Sequence, residues 1–232
     1  MQGLQGGWRR SKFGRVLVFF APSFNFLNML TGGPLNWRFS KAQAGLGDLG
    51  SHHIDQAHFL VGEVAEVAAM TGTWSKDSSN QILDVNDDAF VCAARLENGA
   101  TASFEATRVA GAHNLGGFIE VDGTKGSVAF HMERLNELVI YEPKRGPRVQ
   151  MVTQAGHPYS DFWLPMGIQG QHPLGWNECF AHQARHMLEA VEGGKPIAPR
   201  ATFEDGYRVA ETVDAIARSA ESGTFKTVRF RS

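Results

Sequence analysis

The chain has 232 residues, with 22 Lys and Arg against 24 Asp and Glu, a formal charge of −2 and 43% hydrophobic residues. That hydrophobic share suffices for the packed core of one large domain or two small ones. A balance so near neutrality, without a basic block, offers no electrostatic footprint for nucleic acid and no polybasic anchor for a membrane, so neither partner is expected.

Residues 1–13 are Gly- and Gln-rich at first and lack periodicity, which predicts a disordered or non-native lead-in; residues 14–232 are expected to form a single domain. The apolar run Val16 to Ala21 is far too short to span a membrane, and Arg9, Arg10 and Lys12 ahead of it lead to no small-residue cleavage site. Cys92 and Cys179 lie far apart, each inside an apolar pattern, and read as buried free thiols of a reducing, cytoplasmic compartment.

In chain order, Val16 to Phe20 is rich in β-branched and aromatic residues and reads as a buried strand that Pro22 and Asn25 end. A loop-like stretch, Thr31-Gly-Gly-Pro34, precedes Leu35-Asn-Trp-Arg38. From Gly47 the spacing of Leu49, Ile54, Ala57, Phe59, Leu60 and Val61 predicts an amphipathic helix closed by Gly62. Ala89 to Leu96 and Ala100 to Thr107 flank Glu97-Asn98-Gly99, a hairpin signal. Phe118 to Val121 and Ser127 to Phe130 form a second hairpin, and Leu138 to Tyr141 with Val149 to Val152 extend an antiparallel meander. Two helices follow. Trp176, Phe180, Ala184, Met187, Leu188 and Val191 keep helical spacing until Gly193, with Trp176 and Phe180 read as core. Thr202-Phe-Glu-Asp205 then resembles a capping box ahead of the stripe Tyr207, Ala210, Val213, Ile216 and Ala220. The expected fold is α+β: a largely antiparallel open β-sheet with helices packed on one face. The other face, assigned Phe90, Phe104 and Ile119, is expected to mediate homo-oligomerisation, with a dimer as the smallest closed form.

The densest polar cluster is Gly47-Asp-Leu-Gly-Ser-His-His-Ile-Asp-Gln-Ala-His58. On a helix starting near Gly47, Asp48, His52 and Asp55 fall at i, i+4 and i+7 and share one face, so two carboxylates bracket an imidazole. Such a carboxylate fixes the tautomer of the ring and raises its basicity, which suits a proton carrier. The plainer alternative has Asp48 capping the helix, with His52, His53 and Asp55 partly exposed and solvated. A metal site of His52, Asp55 and His58 fits less well, because His58 lies on the opposite flank from His52.

The runs Leu35-Asn-Trp-Arg38, Gly47-Asp-Leu-Gly-Ser-His-His-Ile-Asp55 and Phe59-Leu-Val-Gly-Glu63 resemble the glucose-fructose oxidoreductase/inositol dehydrogenase/MocA (Gfo/Idh/MocA) family of NAD(P)-dependent dehydrogenases. So do Val121-Asp-Gly-Thr-Lys-Gly-Ser127, Leu174-Gly-Trp176 and Thr202-Phe-Glu-Asp-Gly206, and the similarity runs from about Gly14 to the end. The resemblance implies a substrate-binding and dimerisation domain in which Asp48 and His52 are catalytic and Asp55 lines the substrate site. Arg38 and His172 are further candidates for substrate contact, and His157 and Tyr159 for the pocket mouth. It also implies a small polyol substrate (a sugar or cyclitol) and NAD or NADP as cofactor of an intact member.

A dinucleotide site needs a strand, a Gly-x-Gly-x-x-Gly turn and a helix. Neither Gly3-Leu-Gln-Gly-Gly7 nor Gly111 to Gly117 fits, and the family's Glu-Lys-Pro motif is absent. The expectation is therefore a substrate domain without its nucleotide-binding partner, inactive and binding no cofactor alone, with the missing half lost or supplied by a separate chain. The alternative is a non-catalytic binding or assembly module derived from such an enzyme.

Overall fold

The computed structural model describes residues 13–22, 44–75, 81, 87–110, 115–153, 157, 159–160, 173–193 and 201–230, with residues 13–22 described by backbone alone. Strand β1 (Phe13–Pro22) is followed by a π-helical turn, Ala44–Gly50, that runs straight into α1 (Ser51–Leu60). Strands β2 (Val64–Gly72), β3 (Ala89–Leu96), β4 (Thr101–Thr107), β5 (Leu115–Gly123), β6 (Gly126–His131), β7 (Glu137–Glu142) and β8 (Gly146–Met151) come next. The chain closes with α2 (Trp176–Val191), α3 (Phe203–Ser222) and the two-residue β9 (Lys226–Thr227). The lead-in through residue 12 and the Thr31 to Pro34 loop lie outside the described residues.

The described strands form one nine-stranded sheet in the order β8-β7-β6-β5-β1-β4-β3-β2-β9. Neighbours are antiparallel except β1 and β4, which run parallel with Val18 opposite Phe104. The first strand thus fills the centre of the sheet, between β4 and β5, and bridges two meanders that do not pair with each other. The β3–β4 hairpin turns at Gly99, whose φ of +85° suits a residue without Cβ. Asn98 secures that turn to the end of α1, its Nδ2 donating to the Val61 carbonyl at 2.9 Å. Strand β2 was not legible in advance, because Val64-Ala-Glu-Val-Ala-Ala-Met is rich in alanine, a weak strand former, and a bulge between Val64 and Glu66 interrupts its alternation.

The core lies between the sheet and the α1–α3 layer, where Leu46, Ile54, Phe90, Phe104 and Ile216 are almost fully removed from water. This inverts the expected phase of the sheet. Phe90, Phe104 and Ile119 face the helices and are buried, and Gly50 lies so close over the Phe90 ring that a Cβ there would come within 2.7 Å of it. The opposite face carries Met70, Val91, Tyr141 and Val149 instead, all exposed. Strict alternation fixes two faces but not which one the helices choose.

Helix α3 starts as its sequence suggests. The Thr202 hydroxyl accepts from Asp205 N at 3.3 Å, and Asp205 Oδ2 accepts from the Thr202 hydroxyl at 2.7 Å and from Thr202 N at 2.6 Å, which together hold the Asp205 carboxyl below its usual range. Helix α2 departs from expectation, since none of its residues is buried and Trp176 and Phe180 are about half exposed. Its apolar stripe does not enter the core. Cys179 on α2 is likewise exposed, whereas Cys92 on β3 is buried and its thiol is pushed up to about 12 by desolvation.

Candidate active site

Asp48 sits in the π-helical turn and His52 and Asp55 on the first two turns of α1, so the polar cluster is built on one continuous helical element. π-Helical turns are uncommon and recur at functional positions. Here the wide turn is enforced from outside. Asp87 accepts from the Gly45 amide through its carbonyl at 2.7 Å and from the Leu46 amide through Oδ2 at 2.6 Å. The close approach needs glycine, as a Cβ at residue 45 would stand 2.8 Å from the Asp87 carbonyl oxygen.

Asp48 does not cap α1; its Oδ2 is ion-paired with Nη2 of Arg108, a buried side chain directly after β4. His52 is exposed at the surface, and its neighbour His53 is buried with Nδ1 3.2 Å from Gln56 Oε1. Burial lowers the His53 imidazole to about 4, so it stays neutral in the core. The two adjacent histidines therefore separate into one open to solvent and one built into the core. Asp55 is half-buried and raised above the usual carboxylate range, first by desolvation and then by Asp205, with His52 opposing. His52 is thus electrostatically coupled to Asp55, while Asp48 is anchored to Arg108.

His58 leaves this face, as its helical position requires. Its Nδ1 lies 3.2 Å from Glu63 Oε2, and burial with nearby Arg208 lowers it to about 4. Among the described residues no group of three or more His, Cys, Asp or Glu is arranged to hold a metal ion. An open groove of about 370 Å³ adjoins the cluster, lined by Gly47 and Ser51 on one side and Gly206, Val209, Ala210 and Val213 of α3 on the other. Asp214 and Ala217 complete the lining, so its walls are mostly small and apolar with one carboxylate at the edge.

Arg38 and His172 lie outside the described residues. His157 and Tyr159 are brought to α2, where the Tyr159 hydroxyl lies 2.6 Å from His186 Nε2 and its ring stacks on His182 at 4.2 Å. Sequence reasoning missed Asp87, Asp88 and Arg108. Their signal was the Asn98-Gly99 hairpin itself, whose register sets Ala89 against Thr107 and so brings Asp88 and Arg108 together. Sequence reasoning also passed over Gly45-Leu-Gly-Asp-Leu-Gly50, which spells Gly-x-Gly-x-x-Gly ahead of a helix. The turn does not fit a pyrophosphate: its leading amides are taken by the acidic Asp87, and Leu46 and Leu49 are buried beneath it.

Residues 10–230 match the family described as oxidoreductase family, C-terminal alpha/beta domain (GFO_IDH_MocA_C). The chain is 34% identical to levoglucosan dehydrogenase of Pseudarthrobacter phenanthrenivorans, over 89% of this chain and 58% of that protein. An oxidoreductase domain protein from Kribbella flavida superimposes with a TM-score of 0.84 at 30% identity, covering 99% of this chain and 62% of its own. Levoglucosan dehydrogenase in complex with NADH and levoglucosan gives a TM-score of 0.82 at 30% identity, over 99% of this chain and 61% of its own. The chain thus spans about three fifths of the length of these relatives. No helix among the described residues is long and apolar enough to cross a membrane. With the family match running through nearly the whole chain and solved relatives superimposing on almost all of it, this protein belongs to the Gfo/Idh/MocA oxidoreductase family and carries its C-terminal α/β domain.

Proposed function

We propose that this chain is the substrate domain of an NAD(P)-dependent oxidoreductase acting on the C–OH of a sugar, cyclitol or related polyol. The observation that carries the reading is the placement of an exposed imidazole, His52, and an anchored carboxylate, Asp48, four residues apart on the same helical element. Oxidation of an alcohol to a carbonyl removes a proton from oxygen and a hydride from carbon, and the residues of this chain are assigned the proton. His52, open to solvent, takes it from the substrate hydroxyl as general base and returns it in the reverse direction. Asp48 orients the hydroxyls, and Asp55 stabilises the imidazolium as it forms. Arg38 and His172 are proposed as further substrate contacts. The hydride acceptor we assign to a nicotinamide held outside the described residues, on a nucleotide-binding domain or a separate chain. Relatives solved with NADH together with levoglucosan or L-sorbose support both the cofactor and the polyol class.

The test joins a family nucleotide-binding domain ahead of Gly14 and measures polyol oxidation. His52→Ala is expected to lower turnover by roughly 10²–10⁴-fold, as for a lost acid–base group. His53→Ala is expected to act much less on turnover, and Asp48→Asn to give an intermediate loss. Equal, small effects of all three in an active protein would favour the non-catalytic binding module.

A further inference from the structure

The Asp48 carboxylate is fixed by Arg108. Arg108 is 3% exposed, so it cannot satisfy its charge in water, and its Nη2 meets Asp48 Oδ2. Breaking a buried ion pair by removing one partner is costly, since the remaining charge loses its compensation away from water. Both partners are held by the same dipeptide. The Asp88 carbonyl accepts from Arg108 N at 2.8 Å, while Asp87 holds Gly45 N and Leu46 N at the head of the turn that carries Asp48. The dipeptide is itself rigid: the buried Asp88 carboxylate accepts from Trp74 N at 2.6 Å, Ser75 N at 2.5 Å and Ser75 Oγ at 2.7 Å. Asp87 and Asp88 directly precede β3 and Arg108 directly follows β4, so the hairpin delivers the clamp as one unit.

We propose that Arg108 is a positioning residue of the candidate site: its buried guanidinium fixes the place and charge of the Asp48 carboxylate, and Asp87 and Asp88 fix the two backbones that carry the pair. Arg108 touches no reacting atom in this assignment; it acts through Asp48, and its place in catalysis rests on the proton-transfer reading.

The test uses the full chain, labelled for NMR, without substrate or cofactor. Replacing Arg108 by Met is expected to raise the pH at which the Asp48 carboxyl carbon titrates by about 1–3 units, and Arg108→Lys to recover part of that shift. A merely structural arginine, packing without directing its charge at Asp48, would leave that midpoint in place. An unchanged midpoint in folded Arg108→Met overturns the proposal. Should Arg108→Met fail to fold, Asp48→Asn decides: exchange of the Arg108 guanidinium protons, expected to be equally slow in the parent chain and in His52→Ala, is expected to quicken in Asp48→Asn, and an unchanged rate there overturns it. Neither measurement depends on activity. An Asp48–Arg108 pair that passes, with His52→Ala harmless in the joined protein, would sink the proton-transfer reading alone.

Discussion

The Ser219 hydroxyl stands in for a missing strand partner: it accepts from the Ala69 amide of β2 at 3.0 Å and donates to the Thr224 carbonyl at 2.8 Å. Strand β9 pairs with β2 only through Glu66 and Val67, so the β2 edge beyond it needs another acceptor, and α3 supplies one. Ser219→Ala leaves a part-buried amide without that acceptor and is expected to destabilise the fold by about 1–3 kcal/mol, measured by urea unfolding. Ser219→Thr, which keeps the hydroxyl, is expected to cost less.

Gly45→Ala tests the turn beneath Asp48. The new Cβ would approach the carbonyl oxygens of Asp87 and Asp88 to 2.8 and 3.1 Å, and backbone atoms cannot swing away as a flexible side chain does. A loss of about 1–3 kcal/mol is expected from the overpacking, together with weaker protection of the Leu46 amide in hydrogen exchange. Gly206→Ala, where a Cβ meets nothing within 4 Å, is the matched control and is expected to be neutral or stabilising.

Acid should unfold this domain through its core histidines. His53 has its imidazole lowered from 6.5 to about 4 by burial, so as pH falls below 6.5 the unfolded chain takes up a proton that the folded chain refuses. Stability is therefore complete above pH 6.5, declines towards pH 4 and levels off below it, with His53 contributing a loss of roughly 3 kcal/mol. His58, likewise lowered to about 4, acts in the same window and the same direction. Thermal melts of His53→Leu across this range are expected to show a flatter profile than the parent chain.

Self-association is expected through the sheet face that the helices leave uncovered. Met70 is 76% exposed, Val91 51% and Val149 53%, and sheet register puts them on one side with Tyr141. An apolar patch of this kind on a broad sheet favours a symmetric partner. Sedimentation at micromolar concentration is expected to show a dimer that Val91→Lys weakens, and a strict monomer would remove the idea.

The sequence by itself determined much of the architecture, because the signals involved are local. Asn98-Gly99 set the hairpin, Thr202 with Asp205 set the start of α3, and the period-two runs set the strands, each through backbone preferences that neighbouring residues decide. It also placed His52 and His53 on different faces, since helical geometry alone separates adjacent positions by about 100°. Tertiary structure decided the rest. Which face of the sheet the helices cover put Phe90, Phe104 and Ile119 inside, while Trp176 and Phe180 of α2 stayed outside. The insertion of β1 between β4 and β5 joined segments whose pairing no local pattern encodes. Asp48 passed from helix cap to partner of a buried arginine for the same physical reason: a guanidinium removed from water takes the carboxylate that the fold brings to it, and that meeting exists only once the β3–β4 hairpin has packed beneath the helix.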